Sequence, residues 1–92
     1  MHKKINFPDE EIEKLKNKAL IITTRISQEY NRYSVKEIVK TPWDDTYIII
    51  KIEKINDVKK HPYYHELTHK QIQLISKYKK IAVLTLKKHK SS

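Results

Sequence analysis

Glycine is missing from this 92-residue chain. That excludes the Walker A loop and the GxGxxG fingerprint, because both bring backbone without a Cβ up to phosphate. Tight turns have to be built from Asn, Asp, Pro or longer loops. Cysteine is missing as well, so there is no disulfide framework, thiolate metal site or Cys nucleophile. Long apolar runs are also lacking. Stretches such as Ala19–Ile22 are far too short to cross a bilayer. The first residues, MHKKINFPDEEIEKLKNK, are charged throughout and have no apolar h-region, so they do not read as a signal peptide. A soluble cytoplasmic protein with no membrane partner is expected.

Acidic residues run out before the chain does. None follows Glu66, whereas Lys70, Lys77, Lys79, Lys80, Lys87, Lys88 and Lys90 do. Most of the net charge of +9 therefore lies in the last third. Such a field attracts polyanions, nucleic acid first and anionic lipid second. A lysine-rich, glycine-free composition also fits an AT-rich genome or a thermophile's surface.

The length suits one domain with a modest core and no cleft between two lobes. Residues 2–7 read as a short first strand. Pro8 and the acidic turn Asp9–Glu11 open a helix, and Ile12, Leu15 and Ala19 carry it to about Lys18. Leu20–Thr24 is β-branched and extended. Ser27 caps a short turn through Tyr33, and Val35–Lys40 is a strand stopped at Thr41–Asp45. Tyr47–Ile55 alternates, with Ile48, Ile50 and Ile52 on one face and Tyr47, Ile49 and Lys51 on the other. Asn56–His65 is a loop. Thr68 and Gln71 form a capping box before a helix whose stripe is Ile72, Ile75 and Tyr78. Ile81–Leu86 is a last, well-buried strand. The pattern predicts an α+β domain over residues 1–86, a small curved sheet or barrel, with a solvated basic tail over 87–92.

One motif suggests zinc hydrolysis. His65–His69 reads HELTH, a match to H-E-x-x-H. That chemistry needs both His on one helix so that both rings face one ion. The capping box cuts the motif, leaving His65 before the helix and His69 as its first residue. Pro62 disfavours extending a helix back to His61. No third ligand follows except His89. The reading is a polar loop and a helix start, with no metal and no cofactor.

The segment ITTRISQEYNRYSVKEIVKTPW, Ile22–Trp43, resembles the ASCH family of the PUA-like superfamily. Thr23, Thr24 and Arg25 stand where that family has Thr-x-Arg on a strand. Val35–Val39 stands where it has Val-Gly-Asp-x-Val, with Lys36 in place of the glycine. The order of loop, helix and closing strand over Asn56–Leu86 also matches. The resemblance implies a PUA-like β-barrel of about five strands and two to three helices, with a cleft facing nucleic acid. Some members hydrolyse the acetyl group of N4-acetylcytidine with a Lys, the Thr and a downstream Glu. Thr23 holds the Thr position and Glu66 lies near that of the Glu. The Lys position is Leu20, and Lys18 is two residues earlier, a shift of about 6–7 Å along a strand.

The residues themselves agree in part. Arg25, beside two hydroxyls, suits bidentate recognition of phosphate or base, or else pairing with Glu29 or Asp44. Trp43 either stacks on a base or joins the core. Tyr63 and Tyr64, with His65 and the preceding Lys59 and Lys60, form a ring-and-cation loop of the kind that holds single-stranded RNA, or a loop that closes one end of the barrel. The first expectation is an RNA-binding module using Lys18, Thr23, Thr24, Arg25, Lys40, Trp43, Tyr63, Tyr64 and His65. The second is a hydrolase of a modified nucleoside, or a weak ribonuclease, using Lys18, Thr23 and Glu66. The third is a small viral or host inhibitor that acts on a protein partner.

Overall fold

The computed structural model describes residues 2–89. Five strands and two helices follow in the order β1 (Lys3–Lys4), α1 (Asp9–Leu15), β2 (Leu20–Ile26), β3 (Ile38–Lys40), β4 (Thr46–Ile55), α2 (His69–Ile75) and β5 (Ile81–Lys88). Short 3₁₀ turns occupy Ser27–Glu29, Val58–Lys60 and Tyr64–Glu66. The strands make one sheet in the order β1-β3-β4-β5-β2. All neighbours are antiparallel except β1 with β3.

The class is α+β with five strands, as expected, but the sheet is open and does not close into a barrel. Closure would require the edges β1 and β2 to pair. β1 offers only two residues to a strand of seven.

Both faces of the sheet are partly covered. On one, Ile21, Tyr47, Ile49, Leu84 and Leu86 pack under Ile5 and Phe7 and against Ile12 and Leu15 of α1. On the other, Ile26, Ile55 and Ile81 pack under Ile75 and Ile72 of α2 and against Val58 and Tyr64. Cover on both sides explains why Ile81–Leu84 of β5 is an unbroken buried apolar run.

The register departs from simple alternation in β4. Ile49 pairs with Leu86 and Lys51 with Thr85, so Ile50 is an unpaired bulge residue. The bulge reverses the phase of the strand. Ile52 therefore joins the core beneath Tyr47 and Ile49, and Ile50 is left exposed. Strict alternation had placed Ile52 with Ile48 and Ile50.

Other elements end where local geometry stops them. α1 ends at Leu15, short of Lys18. β3 begins at Ile38 because Lys36 takes φ 76. The Asn56–His65 loop contains two 3₁₀ turns. β5 continues through Lys88, two residues into the expected tail, while 90–92 lie outside the described residues. The capping box is present as read: Thr68 Oγ1 accepts from Gln71 N–H at 3.1 Å and Gln71 Oε1 accepts from Thr68 N–H at 2.9 Å.

Without glycine, left-handed backbone falls on Ser27 (φ 58), Lys36 (φ 76) and Asp44 (φ 70). A residue with a Cβ adopts that region at a cost of about 1–2 kcal/mol, partly offset by the extra chain entropy a glycine would lose. Lys36→Gly is expected to raise stability by about 0.5–1 kcal/mol, read as a higher urea midpoint at unchanged slope. A lower midpoint would mean that the Lys36 side chain contributes more than its backbone costs.

Candidate nucleic-acid interface

The residues expected to form one cleft do not share a surface. Pairing with β5 puts Thr23 opposite Leu84 and Thr24 opposite Val83, so their side chains leave the sheet on opposite faces. Thr23 and Arg25 face the layer of α1. Thr24 faces the Tyr63–His65 loop.

Arg25 is buried, 9% exposed. Its Nη2 donates to the Asn6 carbonyl at 2.8 Å, its guanidinium lies 5.0 Å from the Phe7 ring centroid, and Nη1 is 3.4 Å from Glu29 Oε2. Arg25 therefore holds the N-terminal segment and the Ser27–Glu29 turn onto the sheet. It is not presented to a ligand. The pairing with Glu29 is the one weighed from sequence.

Trp43 is partly buried, with Phe7 at 5.6 Å and Tyr47 edge-on at 6.2 Å. It extends the core instead of standing free to stack on a base. Lys40 lines a depression of about 340 Å³ with Lys4, Asn6 and Asp44. There Lys40 pairs with Asp44 at 2.9 Å. This lysine's hydrogen bond and charge hold the Asp44 carboxyl below its ordinary range. Lys18 is exposed, and its carbonyl accepts from Tyr47 Oη at 2.6 Å.

The hydrolase set is split in the same way. Thr23 lies on the α1 side. Glu66 ends a 3₁₀ turn whose first residue, Tyr64, and C-cap, Leu67, pack on the α2 side. Lys18, Thr23 and Glu66 therefore do not converge on one reacting atom.

His61 is buried and fastens the loop that carries Tyr63, Tyr64 and His65. Its Nδ1 accepts from Tyr63 N–H at 3.0 Å. That nitrogen therefore bears no proton, and Nε2 donates to Thr24 Oγ1 at 2.8 Å. Burial pushes the His61 pKa below the ordinary 6.5, while the Glu53 carboxylate pulls it partly back.

The unfolded chain takes up a proton at the ordinary value and the folded chain only at a lower pH. His61 thus contributes stability that is complete above pH 6.5 and is lost as pH falls through the folded-state value. Wild type should lose urea midpoint between pH 7.5 and 5, and His61→Asn should show a flatter profile from a lower start. Parallel profiles would remove His61 as the source.

The other histidines of the HELTH region, His65 and His69, are exposed. Among the described residues no group of three His, Asp or Glu side chains is placed to hold a metal ion.

A different basic surface does assemble. Ile55 at the end of β4 is opposite Ile81 at the start of β5. The segment after β4 and the segment before β5 therefore meet at one end of the sheet. Between them lies a depression of about 560 Å³ lined by Asn56, Asp57, Val58, Lys60, Ser76, Tyr78 and Lys79. Lys59, Lys77 and Lys80 flank it in the chain, and all five lysines are exposed. Among the described residues none of the five pairs with a carboxylate. Asp57 is occupied in capping the 3₁₀ turn, where its carboxylate accepts from Lys59 N–H at 3.0 Å.

Tyr63, 39% exposed, stands on the next turn of the same loop. The sequence placed Lys59 and Lys60 beside the Tyr63–Tyr64 loop but counted Lys77, Lys79 and Lys80 only as net charge. The signal that would have joined them is the antiparallel pairing of the two strongest strands.

No family of known sequences, no curated protein and no solved structure matches the chain.

Proposed function

We propose that this protein is a small RNA-binding module that takes single-stranded RNA along the basic end of its sheet. The carrying observation is the concave surface between residues 56–60 and 76–80. Lys60 and Lys79 line it with Asn56, Asp57 and Tyr78, and Lys59, Lys77 and Lys80 are exposed beside them in the chain; among the described residues none of the five pairs with a carboxylate. Lysines spaced along a groove attract successive phosphates, and a ring beside them gives a base a face to stack on. Tyr78 is half-buried against the α2-side core, and Tyr63 supplies an exposed ring on the adjoining turn. Asn56 adds a side-chain amide that can donate and accept along a base edge.

The separation of Lys18, Thr23 and Glu66 across two faces of the sheet favours binding over nucleoside hydrolysis. The ASCH resemblance is part of the proposal and has one backbone feature in its support. Lys36, which stands where that family has glycine, takes φ 76, a conformation glycine adopts freely. The open sheet departs from the family's barrel.

The test is fluorescence anisotropy of labelled single-stranded RNA, duplex RNA and duplex DNA. Preference for the single strand with a salt-dependent affinity is expected. Equal affinity for all three would reduce the surface to a polyanion attractor, and no binding at low salt would end the RNA reading.

A further inference from the structure

The two edges of the sheet are built differently. β1 is two lysines long. Short, charged edges resist pairing with another strand. β2 carries seven residues, LIITTRI, with no lysine, proline or bulge, and it pairs only with β5.

Its hydrogen-bonding phase follows from one contact. Lys88 N–H donates to the Ala19 carbonyl at 2.7 Å. In an antiparallel ladder such exchange recurs at every second residue. Ile21, Thr23 and Arg25 therefore turn their backbone groups toward β5, while Leu20, Ile22, Thr24 and Ile26 turn theirs outward. No backbone partner meets those outward groups among the described residues. Leu20, at the start of the row, is 50% exposed.

We propose that β2 pairs antiparallel with β2 of a second copy, joining two sheets edge to edge. A two-fold axis through Thr23 is the register that pairs all seven residues. It sets Ile22 against the partner's Thr24, Leu20 against the partner's Ile26, and Ile21 against the partner's Arg25. No like charges are opposed, since each Arg25 meets the partner's Ile21, and Leu20 meets an apolar residue. Arg25 is the strand's only charge and is already paired with Glu29. Nothing along the edge therefore selects an acidic or basic foreign strand, and the strand's own copy fits it over all seven residues without opposing like charges. The overall charge of +9 opposes the approach of two copies, so the association tightens as salt screens it. Because the axis is perpendicular to the sheet, the two lysine-lined ends point in opposite directions along the strands of the joined sheet.

The test is sedimentation equilibrium of the full chain at 0.1 and 0.5 M NaCl, with two variants. Wild type is expected to move from 11.1 kDa toward twice that mass with concentration, and more readily at the higher salt. Ile22→Pro removes only an outward N–H and should remain a folded monomer. Thr23→Cys gives the chain its one cysteine, at a position facing its own copy across a close non-hydrogen-bonded pair, and should oxidise to a covalent dimer.

A wild type that stays at 11.1 kDa throughout would overturn the proposal. So would a dimer that persists in a folded Ile22→Pro variant, because the contact would then lie elsewhere. Loss of RNA binding would leave this result untouched, since salt acts on the two associations in opposite directions.

Discussion

Replacing Lys59, Lys60, Lys79 and Lys80 together with alanine should weaken single-stranded RNA binding by roughly a hundredfold or more at 0.1 M salt while leaving the fold intact. For single strands each neutralised phosphate contributes about 0.7 to the slope of log K against log salt. If all four lysines meet phosphate, the slope falls by about 3, and at 0.1 M that electrostatic part amounts to roughly 10²–10³ in affinity. The fold should tolerate the change. All four side chains are exposed, and only Lys60 makes a side-chain hydrogen bond, to Asn56 Oδ1 at 3.2 Å. Relieving like-charge crowding should, if anything, help stability. Titration of wild type and variant at four salt concentrations gives both slope and intercept. Equal slopes would place the phosphate contacts elsewhere on the molecule.

Arg25→Ala should do the opposite, lowering stability and sparing affinity. The hydrogen bond from the guanidinium to the Asn6 carbonyl is charge-assisted and buried, worth about 1.5–3 kcal/mol. Contact with the Phe7 face adds about 0.5–1 kcal/mol. The Glu29 pair adds little, since that carboxylate is 38% exposed and the separation is 3.4 Å. A loss of about 2–3 kcal/mol follows, or a fall in Tm of roughly 10–20 °C for a domain of this size. RNA affinity measured well below that Tm should change by less than about threefold. A variant of normal stability with lost RNA binding would return Arg25 to the role its sequence context suggested.

How far the sequence could be read depended on the range of the signal. Caps and turns were legible, while the ends of α1 and β3 were not. The Thr68–Gln71 capping box, the Thr41–Asp45 turn and the buried last strand all stand where side-chain chemistry put them. Two readings stood open for Arg25, ligand recognition and pairing with Glu29, because Thr-Thr-Arg on a strand says nothing about which face each residue takes or what covers it. Asn6 and Phe7, almost twenty residues earlier, decide its burial.

The only mark of the Ile50 bulge was Lys51, a charge that strict alternation puts on the buried face of Tyr47 and Ile49, since every other position from Tyr47 to Ile52 is apolar. The basic end of the sheet was half legible. Its lysines were visible as charge, but their meeting depends on pairing Ile55 with Ile81 across more than twenty residues. Closure into a barrel could not be judged from strand count, since it turns on the length of β1.

The most direct measurement is a titration of ¹⁵N-labelled protein with a short single-stranded RNA, followed through backbone amide shifts. Binding at the basic end should move Asn56–Lys60 and Ser76–Lys80 first and furthest, with Tyr63 following and Asn6, Phe7 and Arg25 nearly still. Shifts concentrated on Asn6, Phe7, Thr23 and Arg25, with residues 56–60 and 76–80 unmoved, would contradict it.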